Sequence, residues 1–469
     1  MRRLYLAELR DSWTAWVGVS LSFIVMNTAL TIPAVVLFSG MAALSSGELG
    51  FYESSSYTVV QALLAGSVCL VALPVVSSAT SLVVDSRRGS LARLALAGAS
   101  PRHIRGTVLS QLAAVALASA VIGDAIGLAL VRPWVALTQA SGDTGTATLE
   151  PTYSPWALLL ASGTTVVVAL IAGGRQARQA SAIPPVEALR QSQAPLKRVR
   201  IRPLGWIGLL LTLAVGVGSF ASVPVQIAHR YSETFSNLLI IGAMQMFIWG
   251  IAIAFLGPVL MRPVTRAWTA LIPVGSAPWV LAKASVTART ERLYKSVTPV
   301  LFAVGILVGS VVTGESLAAT LAAYAEADLV AGMGGILTEL FTFGLPLAVA
   351  FAGSISSLVM MTKQRDADLA LLGVAGATPA QRILIPAFEG VIITVTAALL
   401  SLGMIAPSLM FFGYAIPSMD VAWHLVIPWP LVAAILLGCA AITVASTVIP
   451  TLAAQRVPEQ RVIARLVAE

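Results

Sequence analysis

Charge is what this chain has least of. Only 11% of its 469 residues are Asp, Glu, Lys or Arg, against 57% hydrophobic, and that ratio leaves too little polar surface to cover a water-soluble body of this size. Two cysteines, Cys69 and Cys439, both inside apolar runs, exclude a disulfide framework and read as small core residues. His103, His229 and His424 are scattered, which excludes a metal site of closely spaced imidazoles. No G-x-x-x-x-G-K-[ST] phosphate loop occurs, so the chain has no recognisable ATP site of its own. Its basic residues are spread over six loops without aromatic interleaving, a poor match to nucleic acid.

What remains is apolar sequence in long runs. Stretches of about 20 residues, the length that crosses roughly 30 Å of hydrocarbon as helix, lie near Trp13–Ala43, Tyr57–Val84, Ile104–Val131, Pro155–Gly174, Gly205–Val223, Asn237–Leu260, Val297–Ala318, Leu337–Met361, Ile383–Phe411 and Ile427–Leu452. The fold class predicted is therefore an all-α integral membrane protein with ten transmembrane helices. The first span reads as a retained export signal, since no small-residue cleavage site follows a short apolar core. With both termini cytoplasmic, every Lys and Arg except Arg132 and Arg230 falls on the inner side, as juxtamembrane basic residues require. The net charge of +8 then reflects orientation and attraction to anionic membrane lipid. Arginine outnumbers lysine 25 to 4 amid abundant Ala and Val, a composition with the look of a GC-rich bacterial genome.

The most informative feature is a repeat. LARLALAGASP at Leu91–Pro101 returns 278 residues later as LALLGVAGATP at Leu369–Pro379, and the same offset carries Arg87 onto Arg365, Gly98 onto Gly376 and Arg178 onto Arg456. This divides the chain into a first four-helix unit at 1–190, a basic linker with two extra helices at 191–278, and a second four-helix unit at 279–469. Even span numbers give the units one orientation, so they are parallel repeats rather than the inverted repeats of many ion-coupled transporters.

Each elbow reads as a short cytoplasmic helix that stops and restarts. Leu91, Leu94 and Ala95 stand at i, i+3 and i+4 and make one apolar face. Gly98 suits a left-handed stop. Ser100 then has the character of an N-cap and Pro101 that of the first helical position. Leu369, Leu372, Gly376, Thr378 and Pro379 repeat the pattern. Such a segment is either a rigid lever for a partner or a connector between spans.

The two segments resemble the elbow of FtsX-like permeases, membrane subunits of ABC transporters that include macrolide and lipoprotein exporters, in which E-x-A-x-L-[RK]-x-x-G-A precedes the third helix of a four-helix unit. Arg175–Arg190 (RQARQASAIPPVEALR) is similar to the family's basic, Pro-containing exit. The family's acidic position is Ser90 in one copy and Asp368 in the other, and its basic position is Ala95 and Gly373, so the elbows are not equivalent. The layout is most similar to ten-span permeases of antimicrobial-peptide resistance. It lacks their large extracellular domain, since only Ala319–Ile336 separates the seventh and eighth spans.

The resemblance implies a non-catalytic permease subunit in a bacterial plasma membrane. Two copies of a separate ABC ATPase, carrying ATP and Mg, would dock on coupling residues Arg87, Leu91, Leu94, Gly98 and Pro101, and Arg365, Leu369, Leu372, Gly376 and Pro379. The task implied is export or dislodging of an amphipathic or membrane-embedded compound. A signalling subunit acting on a cell-wall enzyme or a sensor kinase is the alternative, and an ion-driven transporter is disfavoured by the parallel repeats. Asp124, Glu315 and Glu339 are predicted near the outer headgroups, either as an acidic vestibule for a cationic substrate or as side chains reaching interfacial water. Glu389 aligns with Gln111 and reads as an elbow tether or a packing residue. FFGYAIPSMDVAWHL at Phe411–Leu425 reads as an outer aromatic belt or a contact for a lipid-borne substrate.

Overall fold

The structure is a computed structural model and describes residues 13–47, 51–140, 150–181, 203–228, 234–273, 275–288, 290–323, 336–374 and 376–454. In chain order the helices are α1 (Trp13–Ser46), α2 (Phe51–Ser86), α3 (Arg88–Leu96), α4 (Pro101–Ala140), α5 (Pro155–Ala180), α6 (Pro203–Ala228), α7 (Thr234–Ala270), α8 (Ala277–Ala288), α9 (Thr290–Ala322), α10 (Ile336–Val374), α11 (Pro379–Ala415) and α12 (Trp429–Ala454). Four of them, α4, α5, α6 and α11, begin on proline, whose fixed φ and missing N–H suit the first helical position. Among the described residues there is no strand. Among the described residues nine helices are long and apolar enough to cross a membrane, and α10 contains a further apolar stretch, Thr342–Leu358. The protein is a multi-pass, all-helical membrane protein.

Both repeats have the same neighbours. In the first, α1 packs on α2 and α4, and α4 on α5; in the second, α9 packs on α10 and α11, and α11 on α12. The two repeats meet through α2 against α10, flanked by α1 against α10 and α2 against α9. The extra pair lies on the second repeat, where α7 runs along α11 and touches α9 while α6 packs mainly on α7. Gln245, fully buried on α7, donates to Ser219 Oγ on α6 and accepts from Trp249 Nε1 at 2.9 Å. Polar side chains in an apolar medium find each other this way and hold two helices in register.

Helix α8 was not among the predicted elements. It is too short to span, and it buries Trp279, Ala282 and Val286 against α11. The Trp279 ring sits edge-on to Phe388 and Trp268, with centroids 5.5 and 6.3 Å away.

Among the described residues, one ion pair crosses between the repeats. Lys295 on α9 donates to Asp85 at the end of α2, and Ser78 on α2 donates to the Lys295 carbonyl. The side chains are 14% and 23% exposed, so their attraction is screened far less than that of a surface pair. The 278-residue offset places Val17 and Lys363 at the matching positions, so this pair has no twin across the repeat axis. Either single reversal, Asp85→Lys or Lys295→Asp, should destabilise the purified protein by about 2–4 kcal/mol. The swapped double variant should recover most of its thermal midpoint, and strictly additive losses would show that the two side chains do not act as a pair.

Candidate functional site

The elbows end in the same backbone turn. Gly98 has φ +90° and Gly376 φ +92°, a left-handed conformation that costs other residues free energy and glycine almost none. Around Gly98 the Ala99 N–H donates to Leu94 O at 3.0 Å and the Gly98 N–H to Ala95 O at 3.1 Å; around Gly376 the Ala377 N–H donates to Leu372 O at 2.9 Å and the Gly376 N–H to Gly373 O at 3.0 Å. These are the paired bonds of a Schellman stop, closing carbonyls that the helix end leaves open. The restart is also duplicated. Ser100 Oγ accepts the His103 N–H at 3.3 Å, and Thr378 Oγ1 accepts the Gln381 N–H at 3.3 Å while Gln381 Oε1 accepts the Thr378 N–H, a full capping box.

Where the elbows begin, they differ. The first is a separate nine-residue helix, α3, split from α2 at Arg87, whereas α10 continues without interruption from its membrane stretch to Val374. Gly89 in the first copy stands where the second has Ala367. Glycine disfavours helix by about 1 kcal/mol relative to alanine, enough to favour a break at one position and continuity at the other. Arg87 marks the break. It is buried, donates to Gln111 Oε1 on α4 and lies 5.8 Å from the Trp16 ring centroid on α1, so it stitches the elbow's root to two helices. Glu389 is buried on α11 at the position of Gln111.

The apolar face of the first elbow packs within the chain. Leu91 is 2% exposed and packs with Val84, Ile104, Val108 and Ala177, with Leu94 partly buried beside it. A nine-residue helix is not stable alone, so its apolar face is taken up by the gap between α2, α4 and α5. What it leaves exposed is the tip: Leu96, Ala97, Gly98 and Ser100, with Pro101 beyond. At the second elbow Gly376, Thr378, Pro379 and Ala380 are exposed and Leu372 is partly buried on the main core. The side chains of Arg365 and Leu369, like that of Glu339, lie outside the described residues.

Of the acids expected in an outer vestibule, Asp124 stands in a hydrogen-bonded network. Asp124 accepts from Asn27 Nδ2 at 2.7 Å, Thr31 Oγ1 at 2.7 Å and Ser162 Oγ at 2.6 Å, and Thr165 Oγ1 donates to Asn27 Oδ1 at 2.8 Å. Its carboxylate is thus tied to α1 and α5 at a partly buried position on α4, beside Asn27 near mid-length of α1. Gly123 and Gly127 bring α4 this close, since a Cβ at either would lie 2.8 Å from Asn27 Cβ or 2.7 Å from Thr31 Cβ. Glu315 is exposed on α9, a helix of the other repeat. The polar pair Asn27 and Thr31, one turn apart in an apolar span, was the overlooked sign of this network. The offset positions in the second repeat are Gly305, Gly309, Leu402 and Ala440, so the network belongs to one repeat only.

The aromatic belt is also revised. Phe411 and Phe412 are buried, Trp423 stacks on Phe412 at 5.7 Å, and Phe411 meets Phe220 of α6 at 5.3 Å. These rings fasten the extra helix pair to the second repeat, which leaves Tyr414 and Trp429 as the exposed aromatics there.

The model of the FtsX-like permease C-terminal family matches residues 62–185 and again 340–458, just over half of the chain. The chain belongs to the FtsX-like permease family. The two matches begin 278 residues apart, at 62 and 340, the offset that relates the elbows. A comparison with curated proteins finds no match. Members of this family are typically non-catalytic membrane subunits that work with ATPase partners in ABC-type transporters or related systems, and this permease carries two copies of the family's module.

Proposed function

We propose that this permease couples ATP hydrolysis by separate ATPase subunits to the export or dislodging of an amphipathic or membrane-embedded compound. The observation that carries the reading is the pair of Schellman-stopped, N-capped turns at matching positions of two repeats in a single chain. Each tip is rigid, exposed and continuous with a long helix: α4, at about 1.5 Å per residue over its 40 residues, is about 60 Å long. A push at the tip is thereby delivered along the bundle, and rocking one repeat against the other is the two-state change a nucleotide cycle would bias. ATP and Mg belong to the partner in this scheme, and the contact surfaces are the tips Leu96–Pro101 and Gly376–Ala380.

One chain carries both elbows, so one permease should bind two ATPase subunits. Mass measurement of the detergent-purified complex, made with the ATPase encoded nearest this chain, should give that ratio. Two permease chains per particle would overturn the single-chain arrangement.

A further inference from the structure

The seam between the repeats is fastened along one edge and not along the other. Val75 of α2 and Gly353 of α10 match each other under the 278-residue offset, and a Cβ at Gly353 would lie 2.0 Å from Val75 Cγ1, so the pseudo-two-fold axis passes between these helices. That axis relates the contact of α2 with α9 to the contact of α10 with α1. The two edges differ in what holds them. On the α2–α9 edge Lys295 donates to Asp85, and Ser78 donates to the Lys295 carbonyl. This carbonyl is open to a side chain because the residue four places on is Pro299, which has no N–H to give it. On the α1–α10 edge the offset puts Ser356 in the place of Ser78, Val17 in that of Lys295 and Leu21 in that of Pro299. Ser356 is close to α1, since a Cβ at Gly18 would lie 3.0 Å from its Oγ. Leu21, inside α1, supplies the helix N–H that Pro299 lacks, and Ser356 Oγ is buried without a hydrogen-bond partner among the described residues. So is Ser22 Oγ, one turn beyond Gly18 on the same face of α1. Other hydroxyls of these two helices do bond: Thr31 donates to Asn27 O and Ser354 to Ala350 O, both at 2.8 Å.

We propose that the repeats rock about α2–α9 as a fixed edge while α10 slides along α1, and that the Ser22 and Ser356 hydroxyls gain partners in the second register. This rests on the nucleotide-driven rocking proposed above and assigns where in the molecule the motion takes place. Displacement at the fixed edge would leave a partly buried charge without its partner. At the sliding edge Gly18, Ser22 and Ser356 present little relief, so two helices can shift past one another without repacking bulky side chains. A buried hydroxyl left unpaired disfavours the register that holds it, which brings the two registers closer in free energy. The arrangement of the elbows agrees with this division. Sliding α10 runs unbroken into the second elbow, whereas pinned α2 is separated from the first elbow by the break at Arg87. A push on the second tip is thus carried straight to the sliding edge.

The test locks each edge in turn, in the full chain with its partner ATPase and with Cys69→Ala and Cys439→Ala as background. Gly18→Cys with Ser356→Cys bridges the sliding edge, where the approach is as close as a disulfide requires. Ser296→Cys with Ser78→Cys, the matching positions, bridges the fixed edge. Each variant is compared oxidised and reduced, so a folding defect affects both forms alike. Oxidising the Gly18 and Ser356 pair should lower ATPase stimulation by about tenfold or more, because it stops a conformational step on which turnover depends, and reductant should restore it. Oxidising the Ser78 and Ser296 pair should leave stimulation unchanged. A second measurement needs no cross-link. Ser22→Ala with Ser356→Ala removes only unpaired hydroxyls, so the thermal midpoint should hold or rise, while stimulation falls about fivefold through two membrane hydrogen bonds lost from the other register. A merely structural role would move the midpoint and not the stimulation. Equal losses from the two locks, a loss confined to the fixed edge, or no loss from either overturns the sliding joint and leaves the transport reading standing. A wild-type chain that fails to stimulate the ATPase overturns both.

Discussion

Replacing Leu91 by aspartate should release the first elbow from the bundle. The leucine is almost fully enclosed by Val84, Ile104, Val108 and Ala177, and truncating such a side chain alone costs about 2–5 kcal/mol. A carboxylate in its place adds the penalty of a buried charge with no partner. Amide protection in Arg88–Leu96 should fall on the order of a hundredfold, with little change in α4 beyond Leu112. Stimulation of the partner ATPase should fall with it, because a tip on a loose helix transmits no force. Leu96→Asp is the complementary change. Leu96 is 51% exposed, so that variant should keep its amide protection and lose only the contact with the ATPase. Normal protection in Leu91→Asp would show that α3 is held by something other than its apolar seat, and normal ATPase stimulation in both variants would remove the first elbow from the coupling path.

The second large effect is expected at Asp124. Three donors converge on its carboxylate from two neighbouring helices, and Asp124→Ala removes all three bonds, leaving Asn27 Nδ2 with Ala120 O at 2.9 Å, Thr31 Oγ1 with Asn27 O at 2.8 Å and Ser162 Oγ without the carboxylate. Interhelical hydrogen bonds in membrane proteins are worth roughly 0.6–2 kcal/mol each, so the variant should lose about 2–5 kcal/mol, read as a lowered thermal midpoint in detergent. Asp124→Asn keeps one acceptor oxygen for Asn27 and Thr31 and should lose far less, since the Ser162 hydroxyl can turn to accept from the new amide. Glu315→Gln, at an exposed position, should leave stability unchanged. If Asp124→Ala were as stable as the wild type yet less protective against cationic amphipathic compounds, the carboxylate would be a substrate group after all.

Network and elbow share a feature that bears on mechanism: each is built into the first repeat in a form the second does not copy. The first repeat has a broken elbow, a buried arginine at the break and a carboxylate hydrogen-bonded across three helices. The second has an uninterrupted lever, close glycine packing at Gly305 and Gly309 and the extra helix pair bound along α11. A permease with two unlike levers need not respond equally to two ATPase subunits. The Lys295–Asp85 ion pair, with Val17 and Lys363 at the matching positions of the repeats, adds to that inequality at the seam.

Much of this was legible in the order of residues, because it depends on local chemistry. Apolar runs of spanning length set the class. Gly98, Ser100 and Pro101, with their images at Gly376, Thr378 and Pro379, specify stop, cap and restart through φ preference and short-range hydrogen bonds, and the structure has all of them. The 278-residue offset revealed the duplication because equal lengths between landmarks survive changes in the residues themselves. The tertiary structure decided what depends on neighbours distant in sequence. An i, i+3, i+4 face states that Leu91 will be buried, but only the gap between α2, α4 and α5 determines that the chain itself does the burying. A rise per residue placed Asp124 along its helix, but only the approach of α1 and α5 surrounds it with Asn27, Thr31 and Ser162. The rings at Phe411 and Phe412 have the composition of an interfacial belt, and it is the packing of α6 and α7 against α11 that turns them into a core. Periodicity fixes direction around one helix axis; which surface that direction meets is set by how helices pack.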